Sequence, residues 1–269
     1  MTRFDLALAY PQWQGSGRGE NLLRGARATA EICGRFAPIA QVPLAETEGD
    51  GAGVNRLVPI LEQFRSAREI LDHHQAKTLL AAGGDCAVDI AIIDYLIGVY
   101  PNLTVVWIDS HFDANTPATS PSGNLHGMPV SAIMGEASDE MRPLLQHALS
   151  PQRFRYVWAN VADDGDRVFQ TARGLAWLQD NERLSGPVHI HFDLDVLNPT
   201  EFPFLAYPEP SGMPIAAAMS LLTRLARQSE IVGLTFTEFA PANEADARIG
   251  AEVIAALCGA VCDGPGEDR

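Results

Sequence analysis

The sequence has few basic side chains relative to its acidic ones. Its 269 residues include 19 Lys and Arg against 34 Asp and Glu, which gives a formal net charge of -15 at pH 7. A chain this acidic repels phosphate backbones, so we expect no nucleic-acid partner. Cations and small cationic substrates are the ligands that this charge favours.

Cysteines are also few, and long apolar runs are missing. The four cysteines form no CxxC pair, and a chain of this size needs no disulfide scaffold, which predicts a reducing compartment. No stretch approaches the roughly 18 uninterrupted apolar residues of a membrane helix. The N-terminal residues show no apolar run followed by a small-residue cleavage site. We therefore expect a cytoplasmic protein that does not engage a membrane.

Short apolar segments alternate with helical ones along the chain. Buried strands are predicted at 4–10, 39–43, 78–82, 104–108, 155–161, 188–192 and 231–236. Helices are predicted at 54–75, 126–148, 166–182, 214–229 and 244–262. This alternation predicts the α/β class, with a mostly parallel central sheet covered on both faces in a three-layer αβα arrangement. We find no linker, so residues 1–269 are expected to form one domain.

Polar motifs follow four of the predicted strands. GGDC follows TLLAA, DSHFD follows VVWI, DLD follows VHIHF, and Glu238 follows LTF. In open α/β sheets, ligands bind at the carboxyl ends of the strands. The four motifs therefore predict one functional site at that edge of the sheet.

Two of these motifs carry metal-ligand types at alternate positions. Asp109, His111 and Asp113 point the same way if the chain stays extended, and Asp193 and Asp195 would repel each other without a cation. The first motif could instead be a solvated acidic loop, and the second could be a cap or a turn. Taken together, the five side chains could hold two divalent ions that activate a water molecule.

Four segments resemble the ureohydrolase family of arginases and agmatinases. They are IDSHFDANTP, SGNLHGMP, HFDLDVLNP and EFAP, in this order, within about residues 78–241. The resemblance implies an arginase-like fold and two Mn²⁺ ions as cofactors. It implies that one ion is bound by the residue at position 86 with Asp109, Asp113 and Asp193. The other would be bound by Asp109, His111, Asp193 and Asp195, so that Asp109 and Asp193 bridge.

Position 86 departs from the family, whose usual loop is GGDH, because this chain has Cys86. Manganese(II) prefers hard donors and a thiolate is soft. Cys86 is therefore a thiolate ligand, a neighbour that does not bind the ion, or the mark of an inactive, metal-free relative. A small buried hydrophobic role is the ordinary alternative for a free cysteine.

The same motifs imply roles for further residues. The resemblance gives His126 a proton-shuttle role, Asp113 a role in passing the proton of the nucleophile, and Glu238 a contact with the guanidinium group. It places Asn115, Ser122 and Asn124 at the substrate carboxylate, and Asp163 and Asp166 near its amino group, with Asp164 as an alternative because the alignment slides by one. Loop and turn roles, or for Glu238 a surface charge, are the alternatives.

A second departure is Tyr207, where arginases carry a threonine. Together, the short chain and Cys86 resemble the branch of the family that cleaves Nω-hydroxy-L-arginine to hydroxyurea and L-ornithine in D-cycloserine biosynthesis. We therefore expect a guanidino amino acid as the small-molecule partner, with ordinary arginase activity as the alternative. Arginases often trimerise through a C-terminal extension, and this chain stops soon after its last predicted helix, so we expect a monomer.

Overall fold

A single sheet runs through the molecule in the computed structural model, which describes residues 4–262. Its eight strands are ordered β2-β1-β3-β8-β7-β4-β5-β6, and each neighbouring pair is parallel. The strands are Leu6–Tyr10, Ile39–Gln41, Leu79–Gly83, Thr104–Ile108, Phe154–Val157, Ala176–Trp177, Pro187–Asp193 and Glu230–Thr237, numbered β1 to β8.

The longer helices connect these strands. They are Gly19–Cys33, Leu57–His74, Val88–Val99, Asp164–Arg173, Ile215–Gln228 and Glu244–Cys262, numbered α1 to α6. Within residues 4–262, none of the helices combines the length and the apolar character that a bilayer-spanning segment requires.

The sheet separates two hydrophobic cores because successive side chains of a strand point to opposite faces. In β1, Leu6 and Leu8 belong to the core under α2 and α3, whereas Ala7 and Ala9 belong to the core under α1, α5 and α6. The five central strands β1, β3, β8, β7 and β4 are buried on both faces, which explains why they read as continuous apolar runs rather than alternating patterns. The predicted three-layer α/β fold with a parallel sheet is confirmed.

Two predicted helices are wrong in part. The segment 126–148 holds only short helical turns. Within the turn Ala132–Glu136, Gly135 has a φ of 95°, a left-handed value that prevents the helix from continuing. The helix predicted at 166–182 ends at Arg173, where Gly174 forms a left-handed cap. Residues 176–177 form the edge strand β6 instead.

Two helices were not predicted at all. α1 begins after a glycine-rich segment that resembles a loop. α3 is buried on nearly every side, so its sequence VDIAIIDYLIGV shows no amphipathic period. The strand predicted at 155–161 is also shorter than expected, because β5 ends at Val157.

Candidate metal centre

The four polar motifs meet at one edge of the sheet. β3, β8, β7 and β4 are consecutive neighbours in the sheet, and each carries its motif where it ends. The backbone of Gly84 ties three strand ends together, since its N–H donates to Tyr10 O at 3.1 Å and its carbonyl accepts from Glu238 N at 2.7 Å. A Cβ on Gly84 would lie 1.8 Å from the carbonyl oxygen of Gln12, so only glycine fits this close approach.

The end of β4 brings His111 between two carboxylates. His111 Nδ1 lies 3.4 Å from Asp109 Oδ1 and 3.3 Å from Asp195 Oδ2. Asp109 is fixed by its own motif, because Oδ1 accepts from His111 N at 2.7 Å and Oδ2 accepts from Trp107 Nε1 at 3.0 Å. These three side chains present ligand atoms within 4.8 Å of one another.

The end of β7 brings Asp193 against Cys86. The thiol donates to Asp193 Oδ2 at 2.7 Å, and Asp193 Oδ1 accepts from Asp195 N at 2.7 Å. Cys86 Sγ also lies 3.5 Å from Thr237 Oγ1. Cys86 is fully buried among ligand-type side chains, and the structure therefore brings the predicted residue to the predicted site.

Asp85 holds the loop that carries Cys86. Its side chain accepts hydrogen bonds from Gly15 N at 2.7 Å and Ala87 N at 3.0 Å, and also from Gln12 Nε2 at 3.1 Å. Burial first, and the charge of Glu238 second, raise the pKa of Asp85 to about 7. This acid therefore stabilises the loop that carries Cys86.

The site is crowded with negative charge. Burial and the neighbouring carboxylates raise the pKa values of Asp113 and Asp193 well above the ordinary range, and that of Asp195 to about 7. Burial and the charge of Asp193 likewise raise the pKa of the Cys86 thiol. For His111, burial favours the neutral form, but the charges of Asp195 and Asp109 outweigh it and raise its pKa. The cluster therefore has an excess of acidic groups that a bound cation would relieve.

Several buried oxygens of the cluster have no hydrogen-bond partner. They are Asp113 Oδ2, Asp195 Oδ1 and Glu238 Oε2. A buried polar atom without a partner costs about 1–3 kcal/mol of folding free energy. Three such oxygens at one place indicate a binding site for a ligand, such as a cation, that would pair with them. Asp113 also has a φ of 50°, a strained left-handed value for a residue that is not glycine.

A cavity of about 380 Å³ opens over this cluster. Among the residues described, neither lysine nor arginine lines it. Its walls include most of the predicted site residues: Cys86, His111, Asp113, Asn115, Ser122, His126, Asp163, Asp166, Asp193, Asp195 and Tyr207. A larger open groove of about 940 Å³ between α1 and α6 carries none of the four motifs.

His126 and Glu238 face each other beside the cluster. His126 Nδ1 lies 3.5 Å from Glu238 Oε1, and Glu238 is buried with a φ of 58°. Burial would lower the pKa of His126, but the contact with Glu238 raises it overall. Glu238 is therefore not a surface charge, which was the alternative from sequence.

The start of α4 forms the far wall of the cavity. Asp163 and Asp166 make a capping box at 3.1 Å in each direction, and Asp163 Oδ2 accepts from Asn115 Nδ2 at 2.9 Å. Asp164 is exposed and lies outside the cavity lining, whereas Asp163 and Asp166 line it, and the contact of these acids with a substrate stays a prediction. Burial raises the pKa of Asp166 to about 6.

Ser122 and Asn124 lie in one loop but differ in position. Ser122 is exposed on the cavity wall. The side chain of Asn124 is not part of that wall, because its Oδ1 accepts from Asn55 Nδ2 at 3.0 Å and its Nδ2 donates to Ser16 O at 3.3 Å. Asn124 therefore has a structural role in the loop, and its contact with a substrate stays a prediction.

Tyr207 stands over His126 at the cavity mouth. The two ring centroids are 5.0 Å apart, and the Tyr207 hydroxyl donates to Ser16 O at 3.1 Å. The Arg18 guanidinium carbon lies over the Tyr207 ring, 4.8 Å from its centroid, in a cation–π contact. The tyrosine is thus a fixed part of the wall.

His191 and Asp89 belong to the site but were not predicted from the sequence. His191 Nδ1 is 2.8 Å from Asp89 Oδ2, and His189 Nε2 is 2.9 Å from the same oxygen. His191 offers a ligand atom within 4.8 Å of those of Cys86, Asp109 and Asp193. The sequence did contain an indication of His191, because it lies two residues before Asp193 in the same strand and the two side chains therefore share a face.

The model of the arginase family matches residues 43–262, most of the chain, and the protein belongs to this family. The family resemblance inferred from the four motifs is thereby confirmed.

Individual relatives agree with this placement. The hepatic arginase of Aquarana catesbeiana is 31% identical over 55% of this chain and 54% of its own length. Arginase-1 of Xenopus laevis is 32% identical over 51% of each chain, so this chain spans about half the length of the curated relatives it matches. The structure of Entamoeba histolytica arginase in complex with L-ornithine has a TM-score of 0.83 at 19% identity, covering 95% of this chain and 96% of that one.

Proposed function

We propose that the protein is a binuclear manganese hydrolase that cleaves Nω-hydroxy-L-arginine with water to hydroxyurea and L-ornithine. The observation that carries this proposal is the convergence of ligand-type side chains from the ends of β3, β7 and β4 beneath one cavity, next to a buried glutamate with a free oxygen at the end of β8. Family membership gives the class of reaction, and Cys86 and Tyr207 suggest the particular substrate.

The residues present fit a pair of divalent ions. Cys86, Asp109 and Asp193 form one set of donors, and Asp109, His111 and Asp195 form the other, so Asp109 is available to both. Asp113 has a buried oxygen without a partner and completes the set that the family resemblance implies. When bound, such a pair of ions makes a water molecule nucleophilic at neutral pH.

Glu238 suits the guanidinium end of the substrate. A guanidinium group presents several N–H donors in a plane, and a carboxylate accepts them as a fork. Glu238 Oε2 is buried and unpaired, while Oε1 faces His126, so the free oxygen can accept from the substrate. This contact would hold the reacting carbon over the cluster.

His126 and Asp113 can move the protons that the reaction requires. Hydrolysis takes a proton from the attacking water and delivers one to the leaving amine of ornithine. Asp113 lies in the cluster with a buried oxygen that has no hydrogen-bond partner, so this carboxylate can accept the proton of the attacking water. His126 borders the cavity and contacts Glu238, so its imidazole would lie beside the leaving group of a substrate held by Glu238.

The far wall suits the amino-acid end of the substrate. Asp163 and Asp166 are carboxylates that can bind an α-ammonium group, and Asn115 and Ser122 are neutral donors for an α-carboxylate. Asn115 and Asp163 hold each other at 2.9 Å, so both groups are preorganised. The presence of both acidic and neutral polar groups on this wall supports a zwitterionic substrate.

The choice of a hydroxylated guanidine is supported by two residues that differ from ordinary arginases. Cys86 adds a thiol donor to the cluster, and Tyr207 adds a ring and a hydroxyl above His126. Both change the surroundings of the guanidinium carbon rather than the amino-acid end. Plain arginase activity, which the names of the relatives favour, is the second candidate.

Steady-state kinetics with the two substrates tests the proposal. Purified protein loaded with Mn²⁺ is assayed for hydroxyurea from hydroxyarginine and for urea from arginine, with a chelator-treated sample as control. We expect the larger kcat/KM for hydroxyarginine and no turnover after chelation. A clear preference for arginine would identify an ordinary arginase, and no turnover of either substrate would identify an inactive relative.

A further inference from the structure

We propose that His191 is a direct ligand of the ion held by Cys86 and Asp193. The inference rests on the proposed metal centre and adds a nitrogen donor that the motif resemblance does not include. His191 lies in β7, two residues before Asp193, so both side chains point to the same face of the sheet.

Asp89 fixes which nitrogen of His191 is free. Asp89 Oδ2 is 2.8 Å from Nδ1, so Nδ1 carries the proton and donates, and Nε2 keeps a lone pair. The same carboxylate is held by Thr235 Oγ1 at 2.8 Å and by His189. A carboxylate that fixes the tautomer of a histidine is the usual support of a metal-bound imidazole.

Stacking fixes the direction of the ring. The His191 ring lies 3.5 Å from the Trp107 ring with an interplanar angle of 5°, and the Trp107 N–H bonds to Asp109. The nearest hydrogen-bond partner of Nε2 is Thr237 Oγ1 at 3.4 Å, a long contact. The lone pair is therefore left for another partner.

That lone pair faces the ligand cluster. One ring nitrogen of His191, Sγ of Cys86 and one oxygen each of Asp109 and Asp193 lie within 4.8 Å of one another, and all four residues are buried. Thr237 Oγ1 lies 3.4 Å from His191 Nε2 and 3.5 Å from Cys86 Sγ, so Nε2 is on the side of the ring towards the cluster. An imidazole, a thiolate and two carboxylates are a mixed donor set that suits a divalent transition ion. Asp113 and Asp195, with unpaired buried oxygens nearby, supply further acceptors.

His189 provides a matched control. It lies on the same strand, bonds to the same carboxylate and is equally buried. Its Nδ1 is directed at Gly233, because a Cβ there would lie 2.1 Å from that nitrogen. A substitution of His189 therefore disturbs the Asp89 network without removing a donor from the cluster.

The decisive experiment uses the whole wild-type protein. The chain is labelled with ¹⁵N-histidine and loaded with ¹¹³Cd²⁺, and couplings between cadmium and imidazole nitrogen are measured by NMR. We expect two coupled histidines, His111 and His191, with the second coupling at Nε2. If the protein binds cadmium and only His111 is coupled, the inference is wrong while the proposed metal centre stands. If it binds neither Cd²⁺ nor Mn²⁺, the proposed function fails as well.

Mn²⁺ titrations followed by the EPR signal of the free ion give a second readout. For His191→Gln we expect one of two sites to weaken at least tenfold, and for His189→Gln we expect both affinities to stay within about threefold of wild type. Equal weakening by both substitutions would assign His191 a structural role and overturn the inference. The wild-type NMR result decides the question even if the His191 variant does not fold.

Discussion

The metal-free protein should lose stability as the pH rises from about 6 to about 8. Asp195 is buried, and its pKa in the folded chain is about 7, against about 3.9 for an unfolded aspartate. A carboxyl group with a raised folded pKa binds more protons when folded. Its contribution to the free energy of unfolding is therefore largest below the unfolded pKa and is lost as the pH rises through the folded pKa.

The size of the effect follows from that value. A single group with a pKa near 7 removes about 1.4 kcal/mol from the free energy of unfolding between pH 6 and 8. Asp85 also has a pKa of about 7, and the raised pKa values of Asp113, Asp193 and His111 act in the same direction. The total loss should therefore exceed the contribution of Asp195 alone.

Urea unfolding at about pH 6, 7 and 8 in the presence of a chelator measures this loss. Asp195→Asn should reduce the dependence on pH by about 1.4 kcal/mol, because a neutral amide does not titrate. Saturating Mn²⁺ should stabilise the protein more at pH 8 than at pH 6, since the ion binds deprotonated ligands. A metal-free protein that is equally stable or more stable at pH 8 would refute the electrostatic description of the site.

Four further predictions concern single residues. Glu238→Gln should lower kcat/KM for the guanidino substrate by roughly ten- to hundredfold, because a charge-assisted contact is lost. Glu230→Gln, at the opposite and exposed end of β8, should leave kcat/KM unchanged. An equal loss of kcat/KM in both variants would contradict the role of Glu238. His126→Asn should lower kcat by roughly a hundredfold with bound Mn²⁺ retained, and an unchanged kcat would exclude proton transfer. Gly84→Ala should lower the unfolding free energy by about 1–3 kcal/mol in urea, because its Cβ would meet the Gln12 carbonyl; no loss would mean that the loop moves freely. Cys86→His should retain two Mn²⁺ per chain by elemental analysis, and loss of both ions would place Cys86 outside the cluster.

The buried strands could be predicted because a parallel sheet covered on both faces requires continuous apolar runs. The edge at which the motifs meet followed from the same reasoning, since the carboxyl ends of parallel strands lie together. The order of the strands could not be predicted, because β3, β8, β7 and β4 are brought side by side by packing between distant segments.

Helices were predicted less well, for physical reasons that differ. α3 is apolar all round and shows no period. The segment 126–148 is rich enough in apolar residues to suggest a helix, but Gly135 turns the chain into a left-handed conformation, and Pro143 lacks the N–H that a continuous helix would use.

The ligand types of the site were predicted from spacing, whereas its supporting network was not. Asp109, His111 and Asp195 meet as the motifs indicated. The orientation of His191 depends on Asp89, which is 102 residues away in sequence and is placed by α3, a helix that was not predicted. Likewise, only the structure shows that Asp164 is exposed while Asp163 and Asp166 line the cavity.

Anomalous diffraction at the manganese edge, from crystals of the protein grown with Mn²⁺, tests the account most directly. We expect two peaks about 3.5–4 Å apart at this edge of the sheet, one beside Cys86 and Asp193 and the other beside His111 and Asp195. Manganese bound only elsewhere, or absent from these side chains at saturating concentration, would contradict it.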